Sequence, residues 1–468
     1  MVRVIATFLV LASTVISAQE TALDRYVAKP DNTYTWDHKK AVVGEGYTTH
    51  MIWLTSQTWR SAAEVDQPVW THWLSIIIPT DIKHDTALLY VGGDDNDDPA
   101  PENASERNIK LAIETKSIVA ELLYVPNQPL YFADSKKEPR HEDDLIAYSR
   151  VKYIITGDEE WLARLPMVKS AVKAMDAIEE FCVTERAGMR MIDSFVVAGG
   201  SKRAWTAWLT GIVDERVEAI IPIVIDALNT EAVTAHHYAA YGFFSPSLGD
   251  YVRHDLYPDL LGTPEFQRIL EIEDPYMYRD RPRLNIPKYI INASGDQFFL
   301  PDNSRFYYKD MPDEKYLRYV ENAKHNLAGS DARESITSFY DSILNNTPRP
   351  EFDWNIERDG PTTVTVTDKP NAVHVWQAHN PEGRDFRVDT IGKTWTKTVL
   401  LPNDEGEYIA EIPEPEKGFS AFFVELEYDS GGQYPFKFTT GVSIIPDDLP
   451  FSLDDHPELV KRKNLQKD

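Results

Sequence analysis

The run Phe195-Val196-Val197-Ala198-Gly199-Gly200-Ser201-Lys202-Arg203-Ala204-Trp205 constrains this chain more than any other stretch. Apolar, partly β-branched residues lead into two glycines and a serine, and a helix-compatible run with Trp205, Trp208 and Leu209 follows. The pattern reads as a buried strand, a cramped turn and an amphipathic helix, with Ser201 at the apex. A hydroxyl lifted out of a sheet at the head of a helix is placed for nucleophilic attack. The first backbone N–H groups of that helix are in position to stabilise a developing oxyanion. Such an elbow usually reads G-x-S-x-G, and Arg203 takes the last position here.

The rest of the chain must bury a large core without covalent help. A single cysteine, Cys182, leaves no intramolecular disulfide, and 42% hydrophobic residues over 468 positions supply the core instead. Cys182 follows an apolar helical stretch and reads as a buried structural thiol. Arg3, an apolar run over residues 4–16 and then Ser17-Ala18-Gln19-Glu20 form the pattern of a secretory signal peptide over residues 1–18. The expected product is therefore secreted and extracellular, without a membrane span. Asn103 and Asn345 head candidate glycosylation sequons, while Asn292 matches but ends an apolar strand. A net charge of −27 argues against nucleic acid and anionic membrane surfaces as partners. The acidic run Asp94-Asp95-Asn96-Asp97-Asp98 reads as a solvated loop, and Lys461-Arg462-Lys463 as part of a frayed end.

Residues up to about 80 carry Trp, Tyr and Thr in alternating runs, at 47–53 and 70–78, and read as antiparallel strands with aromatics in the core. Strand-like runs then follow at 87–91, 120–125, 195–198, 217–225, 289–292 and 317–320. Helix-like runs lie among them at 106–118, 141–156, 167–181, 202–210, 304–309 and 331–344. This alternation predicts a doubly wound, mostly parallel α/β sheet with helices on both faces, over residues 19–345. The helical, aromatic-rich segment 230–283 interrupts it as a cap. Past a proline-rich linker at 346–350, short strands at 363–367, 372–377, 394–400, 407–412, 421–427 and 436–442 predict a β-sandwich over 346–446. Residues 447–468 read as a polar tail.

A serine nucleophile needs a base, and the base needs an orienting carboxylate, each in a loop after a strand in the order Ser, acid, His. Asp296 lies in a Gly-Asp turn after the run at 289–292, and His325 ends the loop after 317–320. Order and placement select Ser201, Asp296 and His325 as the catalytic set. Asp226, which ends the run at 217–225, is the rival acid; its plainer reading is a helix cap or lid contact. The oxyanion hole combines the Lys202 N–H with one from Gly93 or Asp94, in the glycine-bearing loop after 87–91. The Lys202 and Arg203 side chains either receive an anionic substrate group or pair with acidic loops. His236 and His237 are adjacent on a helix and point to different faces, so no metal is expected there, and no cofactor is expected.

These motifs resemble the PhoPQ-activated pathogenicity-related protein family. The residues that carry the likeness are Ala198-Gly199-Gly200-Ser201-Lys202-Arg203-Ala204-Trp205-Thr206, Asp214-Glu215-Arg216-Val217 and Asp274-Pro275-Tyr276. Ala293-Ser294-Gly295-Asp296-Gln297-Phe298-Phe299 and Asn322-Ala323-Lys324-His325 complete them. The likeness makes Arg203 in the elbow a family trait, and it runs from about residue 26 to the end of the sandwich-like region. It implies an α/β-hydrolase fold with a serine nucleophile, distantly like prolyl-oligopeptidase-type and dipeptidyl-peptidase enzymes. The expected function is a secreted serine hydrolase, peptidase or carboxylesterase, acting on a peptide or ester substrate. The family also contains secreted proteins described as autocrine proliferation repressors. That implies an alternative, a signalling protein on a hydrolase scaffold that acts through a cell-surface receptor.

Overall fold

The computed structural model describes residues 20–135, 138–312 and 314–459. The leader expected over 1–18 and the cluster Lys461-Arg462-Lys463 lie outside the described residues. Helix α1 (Ala22–Ala28) precedes three antiparallel strands, β1 (Thr35–Gly44), β2 (Tyr47–Thr58) and β3 (Val69–Pro79). The α/β alternation follows as β4 (Thr86–Val91), α2 (Glu106–Thr115), β5 (Val119–Leu122), α3 (Glu142–Thr156) and α4 (Arg164–Cys182). It continues as β6 (Ser194–Gly200), α5 (Lys202–Val213) and β7 (Val217–Ile223). Helices α6 (Thr230–Tyr241), α7 (Gly249–Arg253) and α8 (Pro264–Glu273) occupy the segment read as a cap, before β8 (Lys288–Ala293). Strand β9 (Lys315–Val320) and helix α9 (Ala332–Leu344) complete this part.

These strands form one sheet in the order β1-β2-β3-β5-β4-β6-β7-β8-β9, parallel from β5 onward. It is an α/β-hydrolase sheet, extended by β1 at its antiparallel edge. The central strands are apolar on both faces because helices cover both: α1, α4 and α5 pack together in one layer, α2 and α9 in another. Burial pushes the Cys182 thiol up to about 12, which keeps it protonated and structural. Trp59 and Trp70 are buried edge-to-face at 5.5 Å and belong to the core, whereas Trp53 and Trp73 pair at 4.9 Å while half-buried.

The helix expected at 304–309 is instead two 3₁₀ turns, Asn303–Phe306 and Tyr308–Asp310. Long-range bonds override the local pattern there: Asn303 Nδ2 donates to the Asp226 carbonyl, and Asp302 binds His236 and Arg384.

The C-terminal strands are β10 (Phe352–Ile356), β11 (Thr362–Val366), β12 (Ala372–Asn380), β13 (Thr396–Val399) and β14 (Tyr408–Ala410). After them come β15 (Phe419–Tyr428), β16 (Phe436–Thr439) and β17 (Ser443–Ile445), while the short helix α10 (Val388–Ile391) sits between β12 and β13. They build two antiparallel sheets, β10-β11-β14 and β13-β12-β15-β16, with β17 also on β15. The run expected at 436–442 forms a strand only as far as Thr439, as β16; β17 follows the run, and the two strands pair opposite ends of β15. One continuous apolar core joins these sheets to the α/β part. The Tyr319 N–H of the last sheet strand donates to Thr439 Oγ1 at 3.0 Å, so β16 covers an otherwise open edge. The stretch read as a polar tail begins packed: Asp447 pairs with Arg305, and the Phe451 N–H bonds Ala239 O at 3.0 Å. Among the described residues, no helix is long and apolar enough to cross a membrane.

Candidate active site

The elbow forms because β6 runs straight into α5 with a glycine at 199, where no side chain fits. A Cβ on Gly199 would lie 2.6 Å from the Arg203 carbonyl oxygen. Ser201 adopts φ 56°, ψ −124°, a conformation that side chains avoid. Its N–H donates to Ile223 O at 2.8 Å, and its carbonyl accepts from Ala204 and Trp205 N–H at 2.9 and 3.2 Å. The serine is thus tied to β7 on one side and to its own helix on the other. Lys202 opens α5, where a backbone N–H has no intrahelical acceptor.

Asp296 follows β8, and its Oδ1 accepts the Phe298 N–H at 2.7 Å. His325 Nδ1 lies 2.8 Å from Asp296 Oδ2 and 3.0 Å from Oδ1. A carboxylate at that distance holds the imidazole proton on Nδ1 and leaves Nε2 as an acceptor. Nε2 is buried and has no hydrogen-bond partner. The rings of Phe298 and Phe299 flank the imidazole at 4.4 and 5.9 Å. Those phenylalanines also line a cavity of about 60 Å³ that Ser201 borders, together with Trp205, Tyr251 and Tyr257. Serine and histidine therefore share one aromatic wall.

Asp226, the rival acid, does not meet the histidine. Its carboxylate accepts from Tyr307 and Tyr319 hydroxyls at 2.7 and 2.6 Å, and burial pushes its pKa up to about 8. Gly93 packs on the first turn of α5, where an added Cβ would meet Arg203 Nη2 at 2.8 Å. Asp94 beside it has φ 69°, and burial with the neighbouring Asp98 raises its carboxyl. This loop thus lies against the Arg203 side chain. The Lys202 and Arg203 side chains pair with the acidic first turn of α3. Glu142 takes Lys202 Nζ at 2.5 Å and Arg203 Nη1 and Nη2 at 2.8 and 2.5 Å. Burial opposes the charge of Glu142, but the Arg203 and Lys202 contacts override it and hold the carboxyl far below its usual range. His236 bonds Asp302 at 3.0 Å, while His237 accepts from the Ser245 N–H at 3.0 Å. The adjacent histidines serve different partners.

The family model for the PhoPQ-activated pathogenicity-related protein matches residues 23–387. The chain belongs to this family. The chain is also similar to Autocrine proliferation repressor protein A of Dictyostelium discoideum, 38% identical over 95% of this chain and 94% of that one. Among solved structures it is similar to an acetyl xylan esterase from Paenibacillus sp. R4, with a TM-score of 0.47 and 10% identity. That likeness covers 69% of this chain and 92% of the esterase. An acylaminoacyl peptidase from Pyrococcus horikoshii gives a TM-score of 0.40 and 13% identity, covering 67% of this chain and 50% of the peptidase.

The site also contains residues that sequence reasoning did not select. Glu142 is signalled only by the acidic start of α3, sixty residues from Lys202. Gln297 lies inside the motif around Asp296, and its Oε1 accepts the His325 N–H at 3.2 Å. Arg150 and Arg164 line the cavity and form a buried cluster with Glu273, and nothing in their local sequence marks them.

Proposed function

We propose that this PhoPQ-related protein is a serine hydrolase that cleaves an ester or amide bond through an acyl-enzyme. Ser201 Oγ attacks the carbonyl while His325 Nε2 takes its proton, and Asp296 stabilises the imidazolium that forms. The Lys202 N–H, with Gly93 or Asp94, receives the oxyanion. His325 returns the proton to the leaving group, and water then cleaves the acyl-enzyme with the same base. The observation that carries this reading is the histidine: Nδ1 is bound to Asp296 at 2.8 Å, and Nε2 is buried without a partner beside the Ser201 cavity. The sequence pattern at the N-terminus supports secretion as the setting.

Labelling with a fluorophosphonate probe tests it. Wild type should label, and Ser201→Ala and His325→Ala should not. A folded wild type that stays unlabelled removes the activated serine.

The name of the Dictyostelium relative favours a second reading, an extracellular repressor of proliferation acting through a receptor on a hydrolase scaffold. In that case Ser201→Ala leaves the growth effect of added protein intact, whereas the enzyme reading requires that effect to disappear.

A further inference from the structure

The polar side chains that line the Ser201 cavity are engaged with the protein itself. Arg150 Nε donates to Glu273 Oε2 at 2.8 Å, while Lys202 Nζ meets Glu142 at 2.5 Å and Asp143 at 3.4 Å. Asp143 Oδ1 also accepts the Tyr251 hydroxyl at 3.0 Å. Arg164 lies over the Trp205 ring, 4.0 Å from its centroid, and the Trp205 indole N–H donates to Glu273 O. The Thr230 and Thr234 hydroxyls donate to backbone carbonyls, and His237 accepts the Ser245 N–H. Tyr257 stacks on Tyr251 with ring centroids 5.2 Å apart. The remaining walls are apolar: Trp205, Ile225, Val233, Leu248, Phe298 and Phe299.

The cavity is also small. Its volume is about 60 Å³, and a water-sized group occupies roughly 10–15 Å³, so it holds about four to six heavy atoms. Its position decides which part of a substrate enters. The leaving group must meet His325 Nε2, which returns the proton to it. Of Ser201, Asp296 and His325, only Ser201 borders the cavity, and Lys202 and Trp205 of α5 border it too. The cavity therefore lies on the acyl side of the scissile bond.

Resting on the hydrolase reading above, we infer that the substrate is an ester with a short, uncharged acyl part of about two to four carbons, its chain seated in this cavity. The bond from Ser201 Oγ to the acyl carbon forms as the ester C–O bond breaks and the alcohol leaves with the proton. Water then releases the short acid and restores the serine. A charged chain would give up its hydration for walls that are mostly apolar. A longer chain would press on Trp205 and Tyr251, which cannot yield without breaking their bonds to Glu273 and Asp143.

The 4-nitrophenyl esters of acetate, propionate, butyrate, hexanoate and octanoate test this, with fluorophosphonate labelling run beside them. In an open apolar groove kcat/KM rises with each added methylene, and a closed cavity reverses that trend. The best of the three shorter esters should exceed hexanoate by at least about tenfold, with octanoate slower still. The glycine ester, a cation close to propionate in size, should fall at least about tenfold below propionate once each rate is divided by its spontaneous hydrolysis. Leu248→Ala, which removes a wall, should move the optimum toward hexanoate, and Val233→Phe, which fills space, should move it to acetate. A labelled enzyme whose profile is flat or rises to octanoate, or that prefers the glycine ester, overturns the inference and leaves the hydrolase reading standing. So does a labelled enzyme that turns over none of these esters. An unlabelled wild type sinks the hydrolase reading and this inference with it. Should both variants fail to fold, the wild-type profile still decides.

Discussion

Among the buried aspartates that follow Ser201 in the chain, Asp296 and Asp226 have neighbours that set them apart. Asp296 accepts from an imidazole and a backbone N–H. Asp226 meets two phenols in a dry site, and burial pushes it from 3.8 to about 8. Asp296→Asn puts an amide donor against Nδ1 and turns the imidazole tautomer, so fluorophosphonate labelling should slow by on the order of 10⁴-fold. Asp226→Asn keeps an acceptor for the phenols and should change labelling by no more than about threefold, roughly the span of 0.6 kcal/mol. Equal losses in the two variants would reverse the assignment. Asp226 also makes a prediction for stability. A carboxyl whose folded pKa is raised contributes stability that is complete below 3.8 and is lost as pH rises through about 8. The stability of wild type relative to Asp226→Asn should therefore fall steadily across that window. Urea denaturation at several pH values reads the trend, and a gap that stays flat with pH would show that Asp226 is not neutral in the fold.

At the scale of elements, the strained join of β6 and α5 is where stability and chemistry pull apart. Glycine at position 201 tolerates φ 56°, and alanine does not. Strain relief of about 1–3 kcal/mol outweighs an entropy cost near 1 kcal/mol, so Ser201→Gly should be more stable than Ser201→Ala by about 1 kcal/mol. Chemical denaturation of the two unlabelled variants measures this directly, and a more stable alanine variant would mean the elbow is unstrained. The elbow was legible in the sequence because each part is local: an apolar strand, two glycines, an amphipathic helix. Asp296 and His325 were legible for a related reason, since parallel strands are apolar runs and the loops after them stand out. The Glu142 clamp, the Arg164 cluster and the two 3₁₀ turns near Asp302 were not. Each depends on bonds between segments far apart in the chain, and local periodicity records nothing of those. Strand β10 escaped notice similarly: its central Trp354 is flanked by the polar Asp353 and Asn355, and pairing with β11 is what orders it.

Across the whole molecule, the C-terminal sheets brace the acid turn of the α/β part. The Val388 N–H of α10 donates to Gly295 O at 3.0 Å, immediately before Asp296. A Cβ on Gly295 would sit 2.9 Å from that nitrogen, so the two segments approach as closely as glycine permits. A few residues earlier, Arg384 Nη2 reaches Asp302 Oδ2 at 2.7 Å, with side-chain exposures of 0% and 1%. Burial works against the Asp302 charge, yet Arg384 and His236 hold its carboxyl well below the usual range. Asp302 in turn follows the Asp296 turn along the same connection from β8 to β9. Removing one partner of a buried pair costs about 3–5 kcal/mol, and because Asp302 keeps His236 and Arg305 the loss of Arg384 falls at the low end, about 3 kcal/mol. Arg384→Ala should lower the unfolding free energy by that amount. Because the same loop carries α10 onto Gly295, it should also slow fluorophosphonate labelling of Ser201 even where the protein remains folded. A loss below about 1 kcal/mol with an unchanged labelling rate would mean that the C-terminal sheets merely adjoin the site. A loss in both readouts makes them part of the support that keeps Asp296 aimed at His325, and explains why one apolar core runs through both halves of the chain.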